Sequence, residues 1–162
     1  MIPEELGKMF SEIQNPIVFA TSDGTPHMTP MNWYYLGGDV FWVTPAGGTR
    51  RIKNMLANRN VCFANLEHMK KNGRGFIVWG EILTMETGLL ALLKHFKNLR
   101  RALVEKSEMY FDFRMFKFAK TYHRHPHIYY SIFPWTRYFV KIKMKRIKYW
   151  LEDGVAKELN LS

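Results

Sequence analysis

The 162-residue sequence has a single cysteine, Cys62, which excludes an intrachain disulfide and any cysteine-based zinc site. Within VCFANL that thiol reads as a buried structural group. No apolar run approaches the ~18 residues that would span a bilayer. The opening MIPEELGKMF carries acids and no long apolar stretch, unlike a secretory signal. A cytoplasmic protein with no membrane partner is the expectation. Carboxylates are scarce, 14 Asp and Glu against 24 Lys and Arg, for a net charge of +10. There is no Ser-His-Asp elbow, no paired-carboxylate motif, no Walker loop and no repeating βαβ order of the dinucleotide-binding kind. Chemistry on this chain is therefore expected to come from a cofactor.

What is present is enough for a core. Hydrophobic residues make up 47% and aromatics 15%, which argues against disorder and for one domain over 1–162. The positive excess is one-sided. Residues 1–87 hold eight basic and eight acidic residues, whereas 88–162 hold sixteen and six. Such a balance suits nucleic acid, an anionic surface or an anionic small ligand, and does not choose among them. In the basic half, Lys141, Lys143 and Lys145 alternate with Val140, Ile142 and Met144, so one strand face is buried and the other wet. Nearby Trp135, Tyr138 and Phe139 suit base stacking, but the lysines read better as a solvent face that discourages edge pairing. His123, His125 and His127 are the most metal-like cluster. Pro126 disturbs their pairing and no carboxylate cluster joins them, so no metal site is expected. His27, His68 and His95 read as isolated.

The chain begins with a short helix in PEELGKMFSEIQ, stopped by Asn15-Pro16. IVFATS is a strand, and Asp23-Gly24 marks a hairpin into a second strand, PHMTPMNWYYL. Pro30 cannot donate to a ladder and places that strand at an edge or bulge. Gly37-Gly38-Asp39 turns into VFWVT. After a short helix come VCFANL and RGFIVWGEILTM, where Gly80 suggests a bend. Residues 88–122 read as a helical insertion, with Leu89, Leu92, Leu93, Phe96, Leu99 and Leu103 on one face and Lys94, Lys97 and Arg101 on another. Glu152 and Asp153 before Gly154 read as a solvated turn. Hairpins with segregated helices indicate an α+β, mainly β protein of small-barrel type.

The most informative stretch is TPAGGTRRIKNMLANRNV. Thr49 stands at an N-cap position, and Ile52, Met55 and Leu56 give the helix an apolar face. Arg50 and Arg51 place positive charge at the positive end of the helix dipole, at a cost of about 0.3–1 kcal/mol each. An anion there would reverse the sign, accepting from free amides and from the guanidinium forks. Gly47 and Gly48 would let the backbone approach it closely. Both arginines pointing into water is the competing reading.

In this order, IVFATSDGTPHMTPMNWYYLGGDVFWVTPAGGTRRIKNMLANRNVCFANL followed by RGFIVWGEILTM resembles the pyridoxamine 5′-phosphate oxidase-like family of FMN-binding split β-barrels. The resemblance spans residues 17–87. It implies a phosphate grip at Thr49, Arg50 and Arg51, with arginine for the usual lysine. It places a flavin-cradling strand on His27, Met28, Thr29, Pro30, Met31 and Asn32, and strand-end contacts on Val43 and Thr44. The implied cofactor is FMN, with a deazaflavin coenzyme or FAD as alternatives. A homodimer is also implied, and Trp33, Trp42, Trp79, Trp135 and Trp150 would supply interface anchors. Asn32 or Trp33 stands near the lysine that the vitamin B6 oxidase carries, and the chain closes with KYWLEDGVAKELNLS, so a true pyridoxamine phosphate oxidase is not expected. The expected function is an FMN-dependent oxidoreductase acting on a small organic acceptor, in the manner of nitroreductase-like or flavin-reductase-like relatives. A non-enzymatic module binding flavin, deazaflavin, haem or nucleic acid is the alternative. No catalytic side chain is singled out. Tyr110, Phe113 and Phe116 of the insertion would wall the space over the flavin.

Overall fold

Strand alternation and a run of core aromatics organise the computed structural model, which describes residues 2–12, 17–31, 33–35, 37–45, 47–65, 73–95 and 137–161. In chain order the elements are α1 (Glu4–Glu12), β1 (Ile17–Ser22), β2 (Pro26–Met31), β3 (Trp33–Tyr35), β4 (Val40–Val43), α2 (Arg50–Ala57), β5 (Asn60–Asn65), β6 (Gly75–Thr87), β7 (Tyr138–Trp150) and β8 (Ala156–Asn160). The antiparallel sheet runs β2-β1-β5-β6-β7-β4-β3, and β8 joins β7. The free edge of β7 takes β4 along Val140–Lys143 and β8 along Arg146–Trp150.

The sheet curls strongly. β4 and β5 stand three strands apart in the order, about 14 Å if flat at the usual spacing. Yet the rings of Phe41 and Phe63 lie 4.8 Å apart, centroid to centroid. Trp33 on the β3 edge reaches Phe76 on β6 at 5.9 Å. The enclosed core gathers Phe19, Met31, Trp33, Phe41, Val43, Phe63, Phe76, Val78 and Ile142. α1 closes it, because Leu6, Met9 and Phe10 form one fully buried stripe. Phe10 meets Phe41 and Phe76 edge-on, each at 4.9 Å, the orientation that ring quadrupoles favour.

The Asp23-Gly24 hairpin forms as expected, pairing Ser22 with Pro26. Pro30 lies on an edge strand. Gly80 sits at a break in the β6–β7 register, and a second break falls between Ile82 and Thr84. Arg59 supports the second break, donating from Nε to the Ile82 carbonyl (2.9 Å) and from Nη2 to that of Leu83 (2.8 Å).

Several expectations are corrected. The single strand expected over PHMTPMNWYYL is two, β2 and β3, at opposite edges of the sheet. The chain crosses the opening between those edges while Met31 and Trp33 both stay in the core. β8, unexpected from the sequence, pairs with the end of β7. Cys62 is half-buried rather than buried. Burial pushes its thiol up, with Arg146 opposing.

Of the 88–122 insertion, residues 89–95 are helical and 96–122 lie outside the described residues. The expected leucine face is buried only in part. Leu92 packs partly buried against the second core cluster, Leu89 and Leu93 are 62% and 63% exposed, and Ala91 and His95 are buried. His95 Nε2 lies 2.8 Å from Glu86 Oε2, and Lys94 donates to Glu86 Oε1 at 2.8 Å. The imidazole packs against Trp42 (5.0 Å) and Phe139 (5.2 Å). The small Ala91 packs in a second cluster with Tyr34, Trp42 and Phe139, with Leu92 against it. Hydrogen bonds from Lys94 and then His95 hold the Glu86 carboxyl below its ordinary range. His95, read from sequence as isolated, is thus a fixed packing element. His68, His123, His125, His127, Trp135, Tyr110, Phe113 and Phe116 lie outside the described residues.

Candidate functional site

The turn before α2 sets the approach to the site. Gly48 adopts φ +69°, a left-handed conformation costly for any other residue type. Thr49 is extended, with φ −86° and ψ 154°, in the N-cap position expected for it, but its side chain makes no capping bond. By helix geometry, the amides of Arg50 and Arg51 find no carbonyl within α2. Ile52 and Met55 are buried, as expected. Leu56, expected beside them, is 66% exposed, and Asn54 occupies the buried position instead.

Asn54 fixes the start of α2 against the β1–β2 hairpin. Its amide nitrogen donates to Asp23 Oδ2 (3.2 Å) and to the Arg50 carbonyl (3.1 Å), and its oxygen accepts from Thr21 Oγ1 (3.2 Å). Both Asn54 and Thr21 are buried, so each bond lost leaves a desolvated polar group, at about 1–3 kcal/mol. Asn54→Ala is expected to lower stability by about 2–4 kcal/mol. That corresponds to a fall in Tm of about 5–15 °C, read by circular dichroism. A change within about 2 °C would mean the hairpin does not depend on this anchor.

The two arginines diverge. Arg50 turns outward, 53% exposed, with Nη2 3.8 Å from Asp23 Oδ1. Arg51 folds inward beneath β2, its Nη1 3.4 Å from both the Pro30 carbonyl and Met31 Sδ. Its Nε is buried without a hydrogen-bond partner, and among the described residues no carboxylate pairs with it. Burial, and after it the positive charge of Arg137, lower the pKa of Arg51 from its ordinary value.

Arg137 was not foreseen. It precedes β7 and donates from Nη1 to the Thr44 carbonyl at 3.1 Å. The Thr44 side chain is 4% exposed, and its hydroxyl has no partner. On β2, the Thr29 hydroxyl is likewise buried and unpartnered. Three buried polar atoms, Thr29 Oγ1, Thr44 Oγ1 and Arg51 Nε, thus have no hydrogen-bond partner. Native interiors rarely leave such groups unmet.

The other sequence-predicted positions divide by face. His27 and Thr29 are half-exposed, Met28 and Pro30 alternate with them and are exposed, and Met31 is buried. Val43 is wholly in the core, and its backbone lies between β3 and β7, paired with Trp33 and Val140. Asn32 lies outside the described residues. Elsewhere, a shallow cleft of about 390 Å³ is lined by Glu5, Arg74, Leu151, Glu152, Asp153 and Lys157. Its two cations are already engaged, Lys157 on Asp153 at 3.0 Å and Arg74 on Glu12 at 3.2 Å, so it offers no comparable donor set. Among the described residues no three His, Cys, Asp or Glu side chains gather to hold a metal, and no helix is long and apolar enough to cross a membrane.

No protein-family model matches the chain, and no curated protein matches it. Solved structures do. The general stress protein 26 of Bacillus anthracis superimposes with a TM-score of 0.56 at 17% identity, covering 95% of each chain. A Clostridium acetobutylicum protein related to general stress protein 26, of the pyridoxinephosphate oxidase family, superimposes with a TM-score of 0.63 at 13% identity, over 99% of this chain and 97% of that one. An F420 reductase superimposes with a TM-score of 0.58 at 15% identity, over 90% and 98%. At these identities the likeness shows the fold. Curled sheet, plugging helix and strand order give this chain the split β-barrel fold of pyridoxamine 5′-phosphate oxidase-like proteins.

Proposed function

We propose that the chain is an FMN-binding flavoprotein that passes electrons to a small organic acceptor, and that it works as a cytoplasmic homodimer. The observation that carries this reading is Arg51, half-buried against Pro30 and Met31 of β2 without a carboxylate, its Nε unpartnered. Arg51 is one of the three residues, with Thr49 and Arg50, on which the family resemblance puts the phosphate grip. In this reading Arg51 and the free amides at the start of α2 receive the phosphate, and the Thr29 and Thr44 hydroxyls donate to it. His27 and Thr29 present the half-exposed face of β2 along the ring system, with the Val43 and Thr44 backbone at its side. When bound, FMN supplies the electron-carrying chemistry that the side chains lack. The fold shared with an F420 reductase supports a redox role.

The nucleic-acid alternative loses ground on β7. Lys145 is 3.0 Å from Glu81, Lys143 is 3.9 Å from Asp39, and Arg146 is 3.8 Å from Glu158. The lysine face is therefore substantially neutralised within the chain, unlike a surface that tracks a phosphate backbone.

The redox reading is tested by reconstituting the full chain with FMN and removing excess flavin by gel filtration. The flavin band should travel with the protein and bleach on reduction with dithionite. Without oxygen it should return, with matching consumption of acceptor, when a nitroaromatic or quinone is added. Protein that retains FMN but leaves every acceptor unreduced is a flavin carrier rather than an oxidoreductase.

A further inference from the structure

The convex face of the sheet is apolar over four strands. Register carries one row of outward positions from Met28 through Ala20 and Cys62 to Trp79, and Arg146 follows on β7. The next row runs from Pro30 through Val18 and Ala64 to Ile77, with Lys148 after it. Between the rows, Phe19, Phe63 and Val78 point the other way, into the core. Met28 is 69% and Val18 44% exposed, while Ala20, Cys62, Ala64, Ile77 and Trp79 are half-buried. α2 packs on the concave side, where Asn54 meets Thr21.

An antiparallel sheet that meets water on one face normally alternates apolar-in with polar-out. Here both rows stay apolar across β2, β1, β5 and β6, on a chain of net charge +10. Exposed apolar patches of a few hundred Å² are typical of interaction surfaces.

Charge and shape discriminate among occupants. An anionic partner would be drawn to the cations, which lie along β7 and outside the apolar rows. An isologous pair instead sets the same patch against itself. With the twofold axis between β1 and β5, the β2 flank of one copy faces the β6 flank of the other. The two β7 columns then stand about 24 Å apart on a flat sheet. That is about three Debye lengths at physiological salt, so their like charge costs little. Side-chain size also follows the curvature. Two convex sheets touch at the crest, where Ala20, Cys62 and Ala64 are small. They diverge at the flanks, where Met28 and Trp79 are long enough to fill the gap. Arg146 lies 3.9 Å over the Trp79 ring and 3.8 Å from Glu158, so the cation at that flank is already paired.

We propose that two copies of the chain pack sheet to sheet on this convex face, with the twofold axis between β1 and β5. The inference rests on the homodimer reading and deepens it by naming the surface. It does not depend on the flavin.

The test measures the mass of the full chain by light scattering over a dilution series, with and without FMN. The parent is compared with Ala20→Glu, Ala64→Glu and Leu90→Glu. Leu90 is 83% exposed on the helix over 89–95, whose Ala91 packs with Trp42 and Phe139 rather than with these rows. The parent and Leu90→Glu are expected to be dimers at micromolar concentration. Ala20→Glu and Ala64→Glu each set two carboxylates near the axis, and should weaken dimerisation by about a hundredfold or more. Their circular dichroism should match the parent. Cys62, the only cysteine, reports on the face without any substitution. Its alkylation in the parent should speed up across the dilution range in which the mass falls to that of a monomer.

Glu variants that stay as dimeric as the parent, or alkylation at one rate on both sides of that transition, would overturn the face and leave a homodimer formed elsewhere. A monomeric parent sinks the homodimer reading and this face together. If that monomer sediments with phosphatidylserine vesicles and Ala64→Glu does not, the face serves a bilayer and the proposal is overturned. Should the Glu variants not fold, the alkylation series on the parent decides alone.

Discussion

Replacing Arg51 with methionine is expected to weaken FMN binding by about 10²–10⁴-fold while riboflavin binding changes by less than about threefold. A hydrogen bond to a charged group contributes about 1.5–3 kcal/mol. A guanidinium facing a phosphate makes about two of them, and each 1.4 kcal/mol is a factor of ten in affinity. Methionine retains much of the apolar stem that lies beside Met31. The folded state should not suffer, because the substitution removes a half-buried cation that no carboxylate compensates. Tm is therefore expected to stay level or rise. Arg50→Met is the internal control. Arg50 is 53% exposed and 3.8 Å from Asp23, a geometry worth at most about 1 kcal/mol, so its loss should cost FMN affinity less than about tenfold. Isothermal titration of both variants with FMN and riboflavin decides the matter. Equal losses at the two positions would show that the inward turn of Arg51 has no bearing on the ligand.

Gly80→Val is expected to destabilise the barrel more than any other single change considered. A Cβ at this position would lie 2.7 Å from Ile142 Cγ2 and 2.8 Å from the Lys143 carbonyl oxygen. The second contact is with backbone, so rotamer changes cannot relieve it. Either β6 and β7 separate where the register breaks, or the sheet loses the bend that brings Phe41 onto Phe63. Overpacking costs typically 1–3 kcal/mol and more when backbone must move. A loss of about 3–5 kcal/mol, or about 6–20 °C in Tm, is the expected result by calorimetry. Gly80→Ala should show a smaller loss in the same direction. A variant melting within about 2 °C of the parent would mean that the close approach of these strands is not needed for the curl.

Much of this structure follows from local rules, and those parts were legible. Asp23-Gly24 specifies a hairpin through four residues, Thr49 opens a helix through its position before an apolar stripe, and Gly80 marks a bend because only a missing side chain admits Ile142. The failures share another cause. No glycine separates Met31 from Trp33, and both flanks stay extended, so nothing in PHMTPMNWYYL signals that its halves join opposite sheet edges. Period alone put Leu89, Leu92 and Leu93 on the buried face, but only Leu92 packs inward, while His95 is buried beside Glu86 of β6. The contact of Arg137 with Thr44 is the clearest case. Arg137 and Thr44 are 93 residues apart in sequence, and Arg137 is one of sixteen basic residues in its half of the chain. Only the folded sheet sets it apart from the rest. Arg50 and Arg51 read as equivalent in sequence, whereas Asn54 anchors the helix so that Asp23 takes one and β2 the other.

In the proposed reading, the half-buried Arg51 beside β2 holds the phosphate of a flavin. Titrating the full chain in parallel with FMN and riboflavin, at pH 7 and fixed ionic strength, tests it most directly, because the two ligands differ only in that phosphate. The account predicts saturable binding with FMN favoured by about a hundredfold or more, a preference that shrinks as salt is raised. Equal affinity for the two flavins, or binding of neither, would contradict it.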